Sequence, residues 1–192
     1  MRRVGILAVQ GAFAEQAKAF RNAGAETFEI RQLDDLAQPM DALVLPGGES
    51  TVQGKLLKDL GLFEPIRSRI AAGLPVFATC AGLILLAERI ADDPTVWLGL
   101  LPVTVRRNAY GRQLGSFTIQ GDALAFSDAE MTFIRAPGIE SCGADVEIVS
   151  RFHDVPTGVR YKNMLALCWH PELSADCRIF KAFLSALPCA AV

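Results

Sequence analysis

The sequence is short of histidine and has no cysteine pair at metal-binding spacing. Only two histidines, His153 and His170, and five cysteines occur in 192 residues. The cysteines (Cys80, Cys142, Cys168, Cys177 and Cys189) are odd in number and far apart, with no C-x-x-C. That pattern argues against a disulfide framework and against a zinc knuckle, and it fits a reducing, cytoplasmic setting. Lys and Arg are scattered and the net charge is −2, so no basic stripe points to nucleic acid or to an anionic membrane. No window approaches the roughly 18 apolar residues of a membrane span. The opening "MRRVGILAVQGAF" breaks at Gln10-Gly11, too soon for a signal core, and reads as a first strand. Repeats, low-complexity segments and linkers are also missing. With 51% hydrophobic and 21% charged residues, the composition predicts one globular domain over 1–192.

What is present in the first half is a rhythm. Strand-like runs lie at 3–10 ("RVGILAVQ"), "TFEIR", "DALVLP" and "PVFATC". Helical patterns lie between and after them, at 12–25, "STVQGKLLKDLG", "LFEPIRSRIAAG" and "LILLAERI". Alternation of this kind predicts βα units on a parallel sheet covered on both faces, a three-layer α/β/α architecture. From about Val103 the runs "VTVRRN", "LGSFTI", "MTFIRAP", "VEIVSRF", "TGVRYKN" and "MLALCWHP" predict an antiparallel extension, and a last helix falls near 176–187. Ligands gather at the carboxyl ends of the strands in such sheets. Gln10-Gly11, "PGGEST" at 46–51 and Cys80 all fall at predicted strand ends.

Cys80 sits in "LPVFATCAGL", where an apolar strand gives way at once to a helical pattern. Two readings fit this stretch. A free cysteine is often simple core filling, whereas a strand-to-helix corner with small neighbours also projects a nucleophile out of a sheet edge. A thiol nucleophile needs a base or a cation beside it. His153, in the polar "SRFHDVP", reads as an exposed loop residue. His170, in "MLALCWHPEL", closes an apolar strand, and Glu172 two positions on can fix its tautomer as the third member of a triad. The Gly-Gly corner of "LPGGES" frees backbone N–H groups that can hold an oxyanion or, equally, a phosphate. Beside a cysteine corner and H-P-E, it favours acyl transfer.

"PGGEST", "TCAGL" and "HPE", in this order, resemble the class I (triad) glutamine amidotransferases. More narrowly, "LAVQGAF" (7–13), "RRNAYGRQ" (106–113), "FIRAP" (133–137) and "CWHPEL" (168–173) are similar to the glutaminase-subunit family of pyridoxal 5′-phosphate synthases, over essentially the whole chain. The resemblance implies Cys80 as nucleophile, His170 as base and Glu172 as orienting acid. It implies oxyanion donors near Gly48 and Ala81, and glutamine-binding residues at Gly48, Glu49, Ser50, Arg107, Ile134 and Arg135. Arg107 and Arg135 lie beside strands, where a solvated side chain is the other reading. The resemblance further implies hydrolysis of L-glutamine through a cysteine thioester, with no metal and no cofactor. Its ammonia would pass to a synthase subunit in a hetero-oligomer, with Gln10 and Gly11 reordered by that partner. The chain departs from the family at Ala78, where Gly is usual, and in a short 117–130 segment. The rival readings are a glutaminase serving another synthase such as that of histidine biosynthesis, a stand-alone cysteine peptidase or γ-glutamyl hydrolase, and a binding module that has lost its activity.

Overall fold

Four apolar runs decide the architecture because their side chains are buried on both faces of one sheet. In the computed structural model, which describes residues 1–110 and 115–188, these runs lie in β1 (Arg3–Leu7), β3 (Ala42–Leu45), β4 (Val76–Thr79) and β12 (Met164–Leu167). A strand with no wet face belongs in the middle of a parallel sheet. These four do lie there, flanked by β2 (Glu26–Ile30), in the order β2-β1-β3-β4-β12 with every neighbour parallel. The sheet continues through β11 (Val155–Tyr161), β10 (Glu147–Phe152), β7 (Ser116–Ala123) and β8 (Phe126–Ile134), all antiparallel. The expected fold class, a mostly parallel α/β sheet with an antiparallel extension, is the one found.

Strand order places the helices. The step β1→β2 runs one way along the sheet and β3→β4 the other, so right-handed crossovers put their helices on opposite faces. On one face α1 (Phe13–Asn22) and α5 (Arg178–Ser185) meet over β4 through edge-on contacts of Phe20, Phe77, Phe180 and Phe183, with ring centroids 5.0 to 6.0 Å apart. On the other lie α2 (Ser50–Asp59), α3 (Phe63–Ala71) and α4 (Ala81–Leu86), in contact with one another or with β3 and β4.

Two expectations need correction. "LILLAERI" is not one helix: α4 stops at Leu86, and Ala87–Ile90 is a strand, β5. The backbone leaves the helical region at Ala87 (ψ 139°), and the carbonyls of Leu85 and Leu86 accept from the N–H groups of Leu98 and Leu100. Those bonds satisfy the helix end and let so short a helix stand. The second correction is an extra sheet, β5-β6-β9, formed with β6 (Leu101–Arg106) and the unforeseen strand β9 (Gly138–Cys142). The short 117–130 segment forms most of a β7–β8 hairpin. Ala78 lies inside β4, fully buried and paired with Leu45 and Ala166, so its extra methyl belongs to the core and not to the following turn. Gly111, Arg112 and Gln113 of the "RRNAYGRQ" motif, and Cys189, lie outside the described residues.

Candidate active site

The carboxyl ends of β1, β3, β4 and β12 lie along one edge of the sheet, and four sequence motifs follow directly from them. After β4, Cys80 takes φ 47°, ψ −102°, a sparsely populated conformation for a residue with a Cβ. Such strain persists only where the surroundings enforce it. Here the Cys80 N–H donates to the carbonyl of Leu167 on β12, 2.8 Å away, and the Cys80 carbonyl accepts from Ile84. Gly82 lets α4 press on β3, because a Cβ there would sit 2.1 Å from the Leu45 carbonyl oxygen. The corner predicted at Cys80 is therefore built in by both neighbouring strands. Cys80 is buried but lines a cleft of about 320 Å³.

Leu167 pairs with Thr79, so β12 ends level with β4 and delivers His170 beside Cys80. His170 Nδ1 lies 2.7 Å from Glu172 Oε1, within a short 3-10 turn, Pro171–Leu173. The His170 N–H donates to the carbonyl of Thr132 on β8 at 2.8 Å, which fixes the backbone of the loop. The imidazole lines the same cleft as Cys80. Burial alone would lower the His170 pKa, but hydrogen bonds and charge from Cys80 and Glu172 outweigh it and push it up to about 10. Glu172 has no exposed side-chain surface, and among the described residues its Oε2 has no partner, so this buried carboxyl is met by His170 through Oε1. Burial pushes the Cys168 and Cys142 thiols up, which leaves both as poor nucleophiles. His153 is an exposed turn residue, as its polar context suggested.

The turn after β3 faces this group. Gly47 presses on the His170 ring, and a Cβ there would come 2.3 Å from Cε1. Gly48, Glu49 and Ser50, the first residue of α2, line the cleft with Gln10, Arg107, Ile134 and Arg135. Ala81 opens α4 immediately after Cys80. Gln10 Oε1 accepts from the Glu49 N–H at 2.9 Å, and Gly11 packs against the Gly47 carbonyl. The two arginines differ. Arg107 Nη1 pairs with Asp93 at 3.2 Å, while its buried Nε and Nη2 have no partner among the described residues. Arg135 is largely exposed and pairs with Glu49 across the cleft mouth at 2.6 Å. Neither is simply solvated.

A family model described as the SNO glutamine amidotransferase family matches residues 6–188. The chain belongs to this family. A protein of Desulfitobacterium hafniense (strain DSM 10664 / DCB-2) named pyridoxal 5′-phosphate synthase subunit PdxT is 55% identical over 185 residues, which is 96% of this chain and 93% of that protein. A Streptococcus pneumoniae (strain CGSP14) protein of the same name is 48% identical, covering 95% of each chain. A solved structure described as a glutamine amidotransferase superimposes with a TM-score of 0.90 at 40% identity, covering 95% of this chain and 97% of that one.

Within this amidotransferase, the edge of the sheet gathers every site residue picked from sequence, either in the cleft wall or directly behind it. Sequence reasoning placed Gly47 in the Gly-Gly corner but missed its close approach to His170, a tertiary fact, and missed Asp93, whose pairing with Arg107 no local spacing announces. It also passed over Thr79, Gln16 and Gln53, which are polar yet fully buried behind the turn. A threonine at the end of the otherwise apolar "VFAT" run was the available signal. Among the described residues, no helix is long and apolar enough to cross a membrane.

Proposed function

We propose that this chain is the glutaminase subunit of a pyridoxal 5′-phosphate synthase, a single domain that hydrolyses L-glutamine with Cys80, His170 and Glu172. The observation that carries the reading is the His170–Glu172 pair, at 2.7 Å, set against a strained Cys80 in the cleft wall. The names of relatives 48% and 55% identical over nearly the whole chain support the synthase assignment.

With the proton resident on His170, the Cys80 sulfur attacks the side-chain amide carbon of glutamine and the C–S bond forms. The carbonyl π pair moves onto oxygen, which the N–H groups of Gly48 and Ala81 hold. Donors aimed at developing charge are often the largest catalytic contribution. His170 passes its proton to the amide nitrogen, the C–N bond breaks, and ammonia leaves behind a γ-glutamyl thioester. His170 then takes a proton from water, whose oxygen attacks the thioester. The C–S bond breaks and glutamate leaves. Glu172 holds the imidazole in place throughout.

The free carboxylate of glutamine is held by Arg107, whose Nε and Nη2, without a partner among the described residues, suit a carboxylate. Glu49 and Arg135 trade their mutual pair for the charged α-amino acid end, while Ser50 and Ile134 close the wall. Ammonia passes to the synthase subunit in a hetero-oligomer of the cytoplasm, and neither nucleic acid nor membrane takes part. Gln10 and Gly11 are the residues that this partner reorders, because Gln10 grips the Glu49 N–H beside the oxyanion turn.

Steady-state glutamate release, with and without a pyridoxal 5′-phosphate synthase subunit, tests the reading. Release should increase on adding the subunit, mainly in kcat. An isolated chain that already runs at the full rate of the mixture would favour a stand-alone hydrolase instead.

A further inference from the structure

Thr79 ends β4 one residue before the nucleophile, fully buried, with a hydroxyl that the reaction itself does not use. Its Oγ1 accepts two hydrogen bonds at 3.0 Å, one from the Gly47 N–H and one from Gln16 Nε2 on α1. Reversing the Gln16 amide leaves the first bond intact, since a backbone N–H can only donate. Gly47 is held on two further sides. Its carbonyl accepts from the Ala12 N–H at 2.9 Å, and its bare Cα lies under the His170 ring. Three strand ends therefore fix one glycine.

The consequence falls on the next peptide. A planar trans peptide points its C=O and its N–H in opposite directions. The Gly47 carbonyl is bound on the β1 side of β3, so the Gly48 N–H points to the β4 side, where Cys80 stands. The neighbouring donors are already engaged, Gly47 by Thr79 and Glu49 by Gln10. Gly48 keeps the one N–H of the three without a protein partner among the described residues.

We infer that Thr79 is a positioning residue for the oxyanion donor: by taking up the Gly47 N–H, its hydroxyl sets the plane of the turn so that the Gly48 N–H faces the carbon attacked by Cys80. Without the hydroxyl, a buried N–H has no partner, and glycine peptides rotate at little steric cost to find one. The rotation carries the Gly48 donor off its aim. This inference rests on the proposed roles of Cys80 and Gly48.

The test is glutamate release from L-glutamine by Thr79→Val and Thr79→Ser, each alone and with added synthase subunit. Valine keeps the shape and loses the hydroxyl, so kcat should fall about 10- to 100-fold, the scale for a misplaced or missing donor. KM should stay within about threefold. Serine should restore kcat to near the wild-type value. Alkylation of Cys80 by iodoacetamide passes through no oxyanion, so its rate should change by less than about twofold in either variant. Thr79→Ala, with the same expected fall, replaces valine should the latter fail to fold. A wild-type kcat in the valine or alanine variant would overturn the proposal. So would a serine variant as impaired as valine, or an alkylation rate that falls with kcat. A wild-type chain that releases no glutamate under either condition would overturn the functional reading and this proposal with it. An active wild type with an inert Cys80→Ala, alongside any of the adverse Thr79 results, would overturn this proposal alone.

Discussion

The parallel and antiparallel halves of the molecule contribute different kinds of group to one cleft. The parallel half, β2-β1-β3-β4-β12, ends its strands on a common edge and carries Cys80, His170 and a turn of backbone N–H groups. Their positions are set by main-chain bonds and by buried contacts, such as Cys80 to Leu167 and Gly47 under His170. The antiparallel strands and the small second sheet supply side chains at the rim, with Ile134 and Arg135 at the end of β8 and Arg107 after β6. Those charges are half-buried or exposed and are met by Asp93 and Glu49. On the proposed mechanism, the contrast teaches that the bond-making groups all come from the parallel part, whereas both arginines that hold the amino acid come from the added part. Besides the β12–β11 ladder, the His170 N–H to Thr132 carbonyl bond and the Arg135–Glu49 pair tie the two parts together at the cleft.

The division predicts kinetic losses of different kinds. The largest fall on the parallel side: Cys80→Ala should abolish turnover and His170→Asn nearly so, since both act in the bond-making step. Glu172→Gln should retain more activity, roughly 10- to 100-fold above the His170 variant, because it orients the base without exchanging the proton. Steady-state glutamate release measures all three. Equal, mild losses for His170 and His153 variants would place the base elsewhere.

Intermediate effects belong to the rim. Arg107→Met should raise KM for L-glutamine about 10- to 100-fold with kcat within about threefold, since it removes a bidentate partner used equally in ground and transition states. Arg135→Met, at a largely exposed pair, should raise KM by less than about tenfold. A kcat loss as large as the KM rise in either variant would break the proposed separation of roles.

Much of this site was legible because its chemistry forces local sequence. A corner at Cys80 needs small neighbours, an oxyanion turn needs Gly-Gly, and an orienting acid two residues beyond His170 needs no distant partner. The parallel core was equally legible, since strands such as "ALVL" and "VFAT" have no polar face to hide. The failures were tertiary. "LILLAERI" carries an apolar run that a buried helix and a buried strand share, and the carbonyl partners that end α4 come from residues 98 and 100. Strand β9, "GIESC", has weak strand propensity and exists by pairing with β6. The Arg107–Asp93 and Arg135–Glu49 pairs bring together residues far apart or on separate elements, which no local pattern encodes.

A further effect falls on stability and not on kinetics. The folded chain binds the His170 proton more tightly than an unfolded one, at about 10 against 6.5. That contribution is fully present below pH 6.5 and is lost as pH rises through about 10. Thermal denaturation should therefore show the stability advantage of the wild type over His170→Asn shrinking steadily across that range. A gap that is constant or widens with pH would mean that Cys80 and Glu172 do not hold the proton there.

The most direct test of the account is covalent labelling with 6-diazo-5-oxo-L-norleucine, a glutamine analogue whose diazoketone alkylates an accessible thiolate, followed by mass spectrometry of the digest. The account predicts one adduct, on the peptide carrying Cys80, suppressed by excess L-glutamine and missing from Cys80→Ala. An adduct on the peptide of Cys142 or Cys168 with Cys80 unmodified, or labelling that L-glutamine does not suppress, would contradict it.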